Sequence, residues 1–104
     1  MQNFIDLRGA SGADYRFRLW PEGASHPPMA GNYVFLKEGE AGAFTVLLVG
    51  VTNDLSSARR EWSAVASRGA THVFTRLNVA RALRTTEHAD LASGYKGALV
   101  REGV

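Results

Sequence analysis

The sequence predicts an α+β domain in which a small antiparallel sheet is flanked by helices. Two apolar strands, at residues 33–36 and 44–49, are separated by a polar, glycine-rich turn, and a shorter strand pair precedes them. Two amphipathic segments with helical spacing come later, on either side of a β-rich run at residues 71–77. Strands joined by tight turns pair antiparallel, and the helices that follow are then available to cover the sheet.

The first 28 residues predict an N-terminal hairpin extension and a loop. Residues 5–8 are a short strand candidate, and the glycine-rich residues 9–14 form the turn. Residues 15–20 alternate apolar and basic side chains, so one face of this strand is predicted to be buried and the other exposed. Pro27 and Pro28 then exclude a central strand and favour exposed, extended backbone.

Residues 29–95 are predicted to form the core of a single domain that spans residues 1–104. Residues 52–54 are favourable helix caps. The apolar residues that follow at three- and four-residue spacing predict a helix that begins after Asp54 and stops at Gly69. The pattern after residue 95 is too weak to predict an element.

A second helix is predicted to begin at the cap residue Asn78, to run to about Ser93 and to end at Gly94. On a helical wheel, two acids border its apolar stripe, and His88 falls outside that stripe and is predicted to be exposed. The residues of the stripe are Ala80, Leu83, Glu87, Asp90 and Leu91.

The composition is that of a globular protein and excludes several classes of site. Hydrophobic residues make up 45% of the 104 residues, which is enough for one modest core. No cysteine is present, so a disulfide, a cysteine zinc site and a thiol nucleophile are excluded. The first residues show no secretory signal pattern, and the longest apolar run, residues 46–51, is too short to span a bilayer. We therefore expect a cytoplasmic protein with no membrane partner.

The net charge is only +2, but positive charge is concentrated in one segment of the chain. Six arginines lie between residues 59 and 84, against a single acid, Glu61. A solvated helical face would account for such a run, and so would a phosphate-binding surface. The candidate nucleic-acid contacts in this segment are Arg59, Arg60, Arg68, Arg76, Arg81 and Arg84.

Short motifs in a fixed order resemble the GIY-YIG nuclease superfamily over nearly the full length of the chain. The two signature tripeptides correspond to Gly31-Asn32-Tyr33 and Leu48-Val49-Gly50. The chain is most similar to a small, uncharacterised bacterial branch of this superfamily. The other matching segments are an opening strand pair (residues 7–12 and 15–17), the entry to the first helix (51–55), the approach to the third core strand (69–73) and the second helix (Asp90-Leu91 and Tyr95).

The resemblance implies a fold and an activity. The fold would be a three-stranded antiparallel sheet flanked by helices, and the activity would be metal-dependent cleavage of DNA phosphodiesters. In this family a tyrosine helps to activate water, an arginine stabilises charge on the phosphate, and a glutamate binds a magnesium-type ion. A histidine or a second tyrosine supports proton transfer. The candidate catalytic residues here are Tyr33, Arg59 and Glu87, with Glu87 as the candidate Mg2+ ligand.

The chain departs from the family pattern at most of the catalytic positions. Leu48 replaces the second tyrosine, Ala58 falls at the arginine position, and Trp62 falls at the histidine position. Arg59 and Arg60 follow Ala58 directly, but on an α-helix they point about 100° and 200° further around the axis.

The second helix leaves two alternatives at the metal-ligand position. The motif register puts His88 there, whereas the apolar stripe points Glu87 inward. Glu87 would then be either a metal ligand or an ion-pair partner of Arg84 or Arg59, and the ion-pair role is favoured.

We therefore predict a degenerate GIY-YIG-like domain that has lost catalysis, needs no cofactor, and binds DNA or a protein partner. One alternative is a weak Mg2+-dependent DNA endonuclease that uses Tyr33, Arg59 or Arg60, and Glu87. A second alternative is an interaction module that does not bind nucleic acid. The replacement of three catalytic side-chain types favours an inactive domain over a nuclease.

Overall fold

One six-stranded sheet with helical segments on both faces makes up the computed structural model of this chain, which describes residues 1–103. In chain order, the strands are β1 (Phe4–Arg8), β2 (Asp14–Leu19), β3 (Gly31–Glu38), β4 (Phe44–Thr52), β5 (His72–Leu77) and β6 (Leu99–Glu102). Their order in the sheet is β1-β2-β5-β3-β4-β6, and each neighbouring pair is antiparallel except β4 and β6. The predicted α+β class is therefore confirmed.

The predicted N-terminal hairpin adds two strands to one side of the three-stranded core, and β6, which was not predicted, adds a sixth strand on the other side. The N-terminal hairpin joins the core through β2 and β5, with Arg18 opposite Thr75 and Leu19 opposite Phe74. β6 lies in the tail, where no element was predicted, and pairs in parallel with β4. Only four residues form β6 and its partner lies far earlier in the chain, so local sequence carries little signal for it.

The centre of the sheet is the antiparallel trio β4, β3 and β5, and β3 is buried from Gly31 to Leu36. Two glycines permit the close packing around it. A Cβ atom at Gly31 would lie 2.2 Å from the main-chain oxygen of Arg76, and one at Gly50 would lie 2.2 Å from Cζ of Tyr33. Both signature glycines are thus required by close approach of neighbouring atoms.

The predicted first helix is a composite of short helical turns. Residues Leu55–Glu61 form a 3-10 helix, α1 covers Trp62–Val65, and Ala66–Arg68 form a second 3-10 turn. The predicted ends are correct: the Asp54 side chain accepts a hydrogen bond from the Ser56 amide at 3.0 Å, and Gly69 adopts a φ of 88°. In a 3-10 helix, side chains three residues apart lie in line, which aligns Leu55 with Ala58 over the sheet.

The second helix, α2, covers Arg81–Gly94 and differs from the prediction at its start and in its buried face. Asn78 does not cap it; Ala80 occupies the N-cap position. His88 is 4% exposed and Leu83 is 58% exposed, so the predicted exposure of His88 and the predicted burial of Leu83 were wrong, whereas Leu91 is buried as predicted. The helix has few large apolar residues, and contact with the sheet determines its rotation. Within residues 1–103, no helix is long and apolar enough to cross a membrane.

The two faces of the sheet carry separate hydrophobic clusters. We call the face under α2 the α2 face and the face under residues 55–68 the α1 face. Side chains alternate along a strand, so consecutive residues of β3 contribute to different faces. The α2 face buries Leu7, Phe17, Val34, Leu36, Val46, Val49, Phe74 and Leu91. The α1 face buries Trp20, Tyr33, Phe35, Leu48, Leu55, Ala58, Val65 and Val73.

Candidate functional site

Tyr33 lies in the middle of the sheet and lines a cleft of about 140 Å³ on the α1 face. Its ring packs on Gly50 and meets the Phe35 ring edge-on, with 6.1 Å between centroids. Burial, followed by the charge of Glu61, raises the pKa of Tyr33 to about 12. A tyrosine with this pKa is protonated at neutral pH, so Tyr33 is not poised to act as a general base.

The charged walls of this cleft come from two parts of the chain. Arg60 and Glu61 belong to the 3-10 helix, and Arg101 and Glu102 belong to β6. The Nε atom of Arg101 donates to Oε1 of Glu61 at 3.1 Å, so these two charges neutralise each other. The sequence analysis missed Arg101 because β6 was not predicted; its four residues are too few and show no apolar–polar alternation.

Glu87 lies on the opposite face of the sheet from Tyr33. Its Oε1 atom accepts from Nε of Arg76 at 2.8 Å and from Nδ2 of Asn78 at 2.9 Å. Asn78 also donates to Oδ1 of Asn32 at 3.1 Å, which fixes this network beneath α2. Asn32 and Tyr33 are consecutive in β3 and therefore point to opposite faces, so the structure separates Glu87 from Tyr33.

The ion-pair partner of Glu87 is Arg76, which corrects the predicted partners Arg84 and Arg59. With an arginine and an asparagine already bound, the Glu87 carboxylate does not fit a magnesium site. Within residues 1–103, no group of three or more His, Asp or Glu side chains is placed to hold a metal ion.

His88 is buried on the α2 face, which corrects the prediction that it is exposed. Neither ring nitrogen has a hydrogen-bond partner within residues 1–103, and Nε2 lies 3.8 Å from Oε1 of Glu102. Burial lowers the pKa of His88, and the negative charge of Glu102 opposes this shift. The neutral imidazole is therefore the favoured form in the folded chain.

Arg59 and Arg60 are adjacent but have different roles. The Nη2 atom of Arg59 donates to the main-chain oxygens of Trp20 at 2.8 Å and Pro21 at 3.3 Å. Its guanidinium lies 4.6 Å from the centre of the Trp20 ring. Arg59 therefore anchors the loop after β2, and only Arg60 reaches the cleft of Tyr33.

The six arginines predicted to contact nucleic acid do not form one patch. Arg59, Arg60 and Arg68 lie on the helical segment of the α1 face, whereas Arg81 and Arg84 belong to α2. Arg76 lies in β5 and is paired with Glu87. Arg68 precedes Gly69 near the start of β5, and the start of β5 is at the end of the sheet opposite to Gly31.

Three of these arginines do share one end of the sheet, which we call the arginine end: Arg60, Arg81 and Arg84. Gly31 pairs with both Thr52 and Leu77, so the start of β3 meets the ends of β4 and β5 here. Arg60 lines the cleft together with Thr52, and Nη1 of Arg84 donates to the main-chain oxygen of Val79 at 2.8 Å. Within residues 1–103, none of the three forms an ion pair.

Comparison with protein-family models, with curated proteins and with solved structures found no match to this chain.

Proposed function

We propose that this chain is a GIY-YIG-like domain that binds DNA without cleaving it. The observation that carries the proposal is the unneutralised positive charge of Arg60, Arg81 and Arg84 at the arginine end. Arginines that lack a carboxylate partner are available to contact phosphate groups, and such contacts supply most of the affinity for nucleic acid.

The position of Arg81 and Arg84 adds to this argument. Both lie near the amino end of α2, whose first turn contains no acid. The helix macrodipole is positive at that end, so arginines there slightly disfavour the helix and strengthen the attraction for an anion. No side chain caps the first turn of α2, so its main-chain amides can also donate to a phosphate.

The state of the catalytic candidates supports the proposal that the chain does not cleave DNA. Tyr33 has a pKa of about 12, and Glu87 is occupied by Arg76 on the other face of the sheet. Leu48, which stands where the family has its second tyrosine, is fully buried. Two carboxylates line the cleft of Tyr33: Glu61, which is paired with Arg101, and Glu102, which is largely exposed to solvent.

A metal-dependent endonuclease remains the second candidate, because Tyr33, Arg60 and Glu61 do line one cleft. If the chain works in this way, plasmid DNA incubated with Mg2+ or Mn2+ will be nicked, and Glu61→Gln will abolish the nicking. Glu87→Ala is the matched variant on the opposite face, and it would abolish nicking only if Glu87 were the metal ligand.

DNA binding is tested by the fluorescence anisotropy of a short labelled DNA duplex, measured over a series of salt concentrations. Three phosphate contacts predict a slope of log affinity against log salt of about −2.7, at about 0.9 per contact. We expect the double variant Arg60→Glu/Arg81→Glu to bind weakly and to reduce this slope by about 1.8. An interaction module that does not bind nucleic acid would give no anisotropy change even at low salt.

The matched control is Arg68→Glu/Lys96→Glu, which makes the same change in net charge at exposed residues away from the arginine end. We expect the control to keep the wild-type slope. Equal losses in both double variants would mean that net charge alone attracts the duplex, and the assignment of the arginine end would be wrong.

A further inference from the structure

We propose that a groove between β2 and β5 binds the unpaired bases of single-stranded nucleic acid. This inference rests on the proposed function in that the same domain binds nucleic acid, and it adds a second surface that none of Arg60, Arg81 and Arg84 lines. The groove has a volume of about 490 Å³ and lies on the α1 face, beside the loop at residues 21–28. Its size falls within the range of about 300–1,000 Å³ that is usual for ligand sites.

The groove exists because no helix covers this part of the sheet. Phe4 pairs with Arg18 across β1 and β2, so both side chains project from the same face. The helical segment at residues 55–68 packs further along, over the central strands. Phe4 is consequently 47% exposed, and Leu77 on the β5 side of the groove is 55% exposed. Single exposed apolar side chains are normal on a protein surface, but two large ones that line the same groove indicate a binding surface.

The floor of the groove carries positive charge. β2 and β5 share only two register pairs, Arg18 with Thr75 and Leu19 with Phe74, and then separate. Arg76 lies at this gap, but its guanidinium is turned to the α2 face, where it pairs with Glu87, so it adds no free charge to the groove. Arg18 also lines the groove and forms no ion pair within residues 1–103.

The wall formed by the loop is held in place before any ligand binds. Nδ1 of His26 lies 2.8 Å from the main-chain oxygen of Pro27 and must donate to it, because a carbonyl only accepts. In the neutral ring, Nε2 then accepts from the Thr75 hydroxyl, also at 2.8 Å. Nε1 of Trp20 donates to the main-chain oxygen of Ala24 at 2.7 Å, and the Trp20 and His26 rings lie 4.9 Å apart.

Apolar and aromatic side chains beside arginines are the combination that single-stranded nucleic acid uses. Bases stack on rings such as Phe4, while a guanidinium without an acidic partner, such as that of Arg18, contacts the backbone. A duplex keeps its bases stacked inside and presents mainly phosphates, so it would leave the exposed Phe4 and Leu77 without a partner. The groove therefore favours a single strand over a duplex.

The test compares two fluorescein-labelled probes by anisotropy. One is oligothymidylate of about 12 nucleotides, within the about 4–16 nucleotides that one single-strand-binding fold covers. The other is the same strand annealed to oligoadenylate. We expect the single strand to bind more tightly, Phe4→Ala to weaken it about fivefold or more, and Arg18→Glu to weaken it about tenfold. Lys96→Glu, the charge-matched control in an exposed turn, should keep the wild-type affinity.

A second measurement reports on the groove itself. The chain has two tryptophans, so in Trp62→Phe the remaining fluorescence comes from Trp20, which lines the groove. We expect oligothymidylate to change this emission and polyglutamate at equal charge to leave it unchanged. Circular dichroism verifies that each variant is folded.

The outcomes separate the two proposals. Duplex binding that exceeds single-strand binding, with no effect of Phe4→Ala or Arg18→Glu, would overturn the groove and leave DNA binding intact. If polyglutamate displaces the labelled single strand as effectively as unlabelled DNA does, the groove is a site for acidic peptides, and base recognition is overturned. No binding of either DNA probe at low salt would overturn both proposals.

Discussion

Gly50 offers a direct test of the packing that brings Tyr33 to the cleft. In Gly50→Ala, the added methyl group would lie 2.2, 2.5 and 2.6 Å from three atoms of the Tyr33 ring. The ring is 4% exposed and also meets Phe35, so any movement away from the added methyl group would disrupt this packing. Overpacking of a core costs about 1–3 kcal/mol, and contacts this short put the expected loss of unfolding free energy at about 3 kcal/mol.

A double-mutant cycle isolates this contact from the general cost of substitution. Tyr33→Ala alone removes a buried ring and should cost about 3–5 kcal/mol, as for other large aromatic residues. In Tyr33→Ala/Gly50→Ala, the methyl group enters the space that the ring has left, so Gly50→Ala loses its penalty. We therefore expect a coupling energy of about 3 kcal/mol between the two positions.

The free energies of unfolding are measured by urea denaturation followed by circular dichroism. Gly97→Ala is the control, because a Cβ atom there meets no atom within 4 Å, and it should change stability by less than about 0.5 kcal/mol. Additive losses in the double variant, or a Gly50→Ala protein as stable as Gly97→Ala, would refute the packing of Tyr33 on Gly50.

Three further predictions concern the α2 face. The folded chain lowers the pKa of His88 below the usual 6.5, so the unfolded chain binds this proton more readily; stability should be complete above about pH 6.5 and fall as the pH drops below it. Urea titrations at a series of pH values check this, and His88→Leu should flatten that part of the profile. Asp90 accepts two hydrogen bonds from Ser11, in the turn between β1 and β2, and one from the Tyr15 hydroxyl in β2. Asp90→Ala should therefore lower the melting temperature in calorimetry. Because Glu87 is bound to Arg76, Mg2+ should not raise the melting temperature of the wild type, and Glu87→Gln should lower that temperature with or without the ion.

Elements that depend on local sequence were predicted well. The alternation of apolar and basic residues in β2 and the apolar runs of β3 and β4 each correspond to a strand. Asp54 and Gly69 bound the first helical segment because capping and a left-handed turn are decided within a few residues. Its division into 3-10 and α turns was not predictable, since contact with the sheet decides the pitch.

The parts of the candidate site that were missed depend on contacts between distant residues. The rotation of α2 buries His88 and exposes Leu83, and no pattern within the helix decides between these two orientations. Arg101 reaches Tyr33 only through the parallel pairing of β6 with β4. The separation of Glu87 from Tyr33 follows from which face α2 covers, and sequence spacing carries no information about that choice.

The short pairing of β2 with β5 has a consequence for how the domain responds to heat and to ligands. Two register pairs and a main-chain hydrogen bond from Trp20 to Val73 join β2 to β5, fewer links than join the central strands, so we expect this junction to open at a lower free energy than the centre of the sheet. α2 spans this junction, because Asp90 bonds to Ser11 in the hairpin while Glu87 bonds to Arg76 in β5. If oligothymidylate binds across this junction, it should hold the hairpin against β5, as α2 does. Hydrogen exchange of the β2 amides should then slow when oligothymidylate is added.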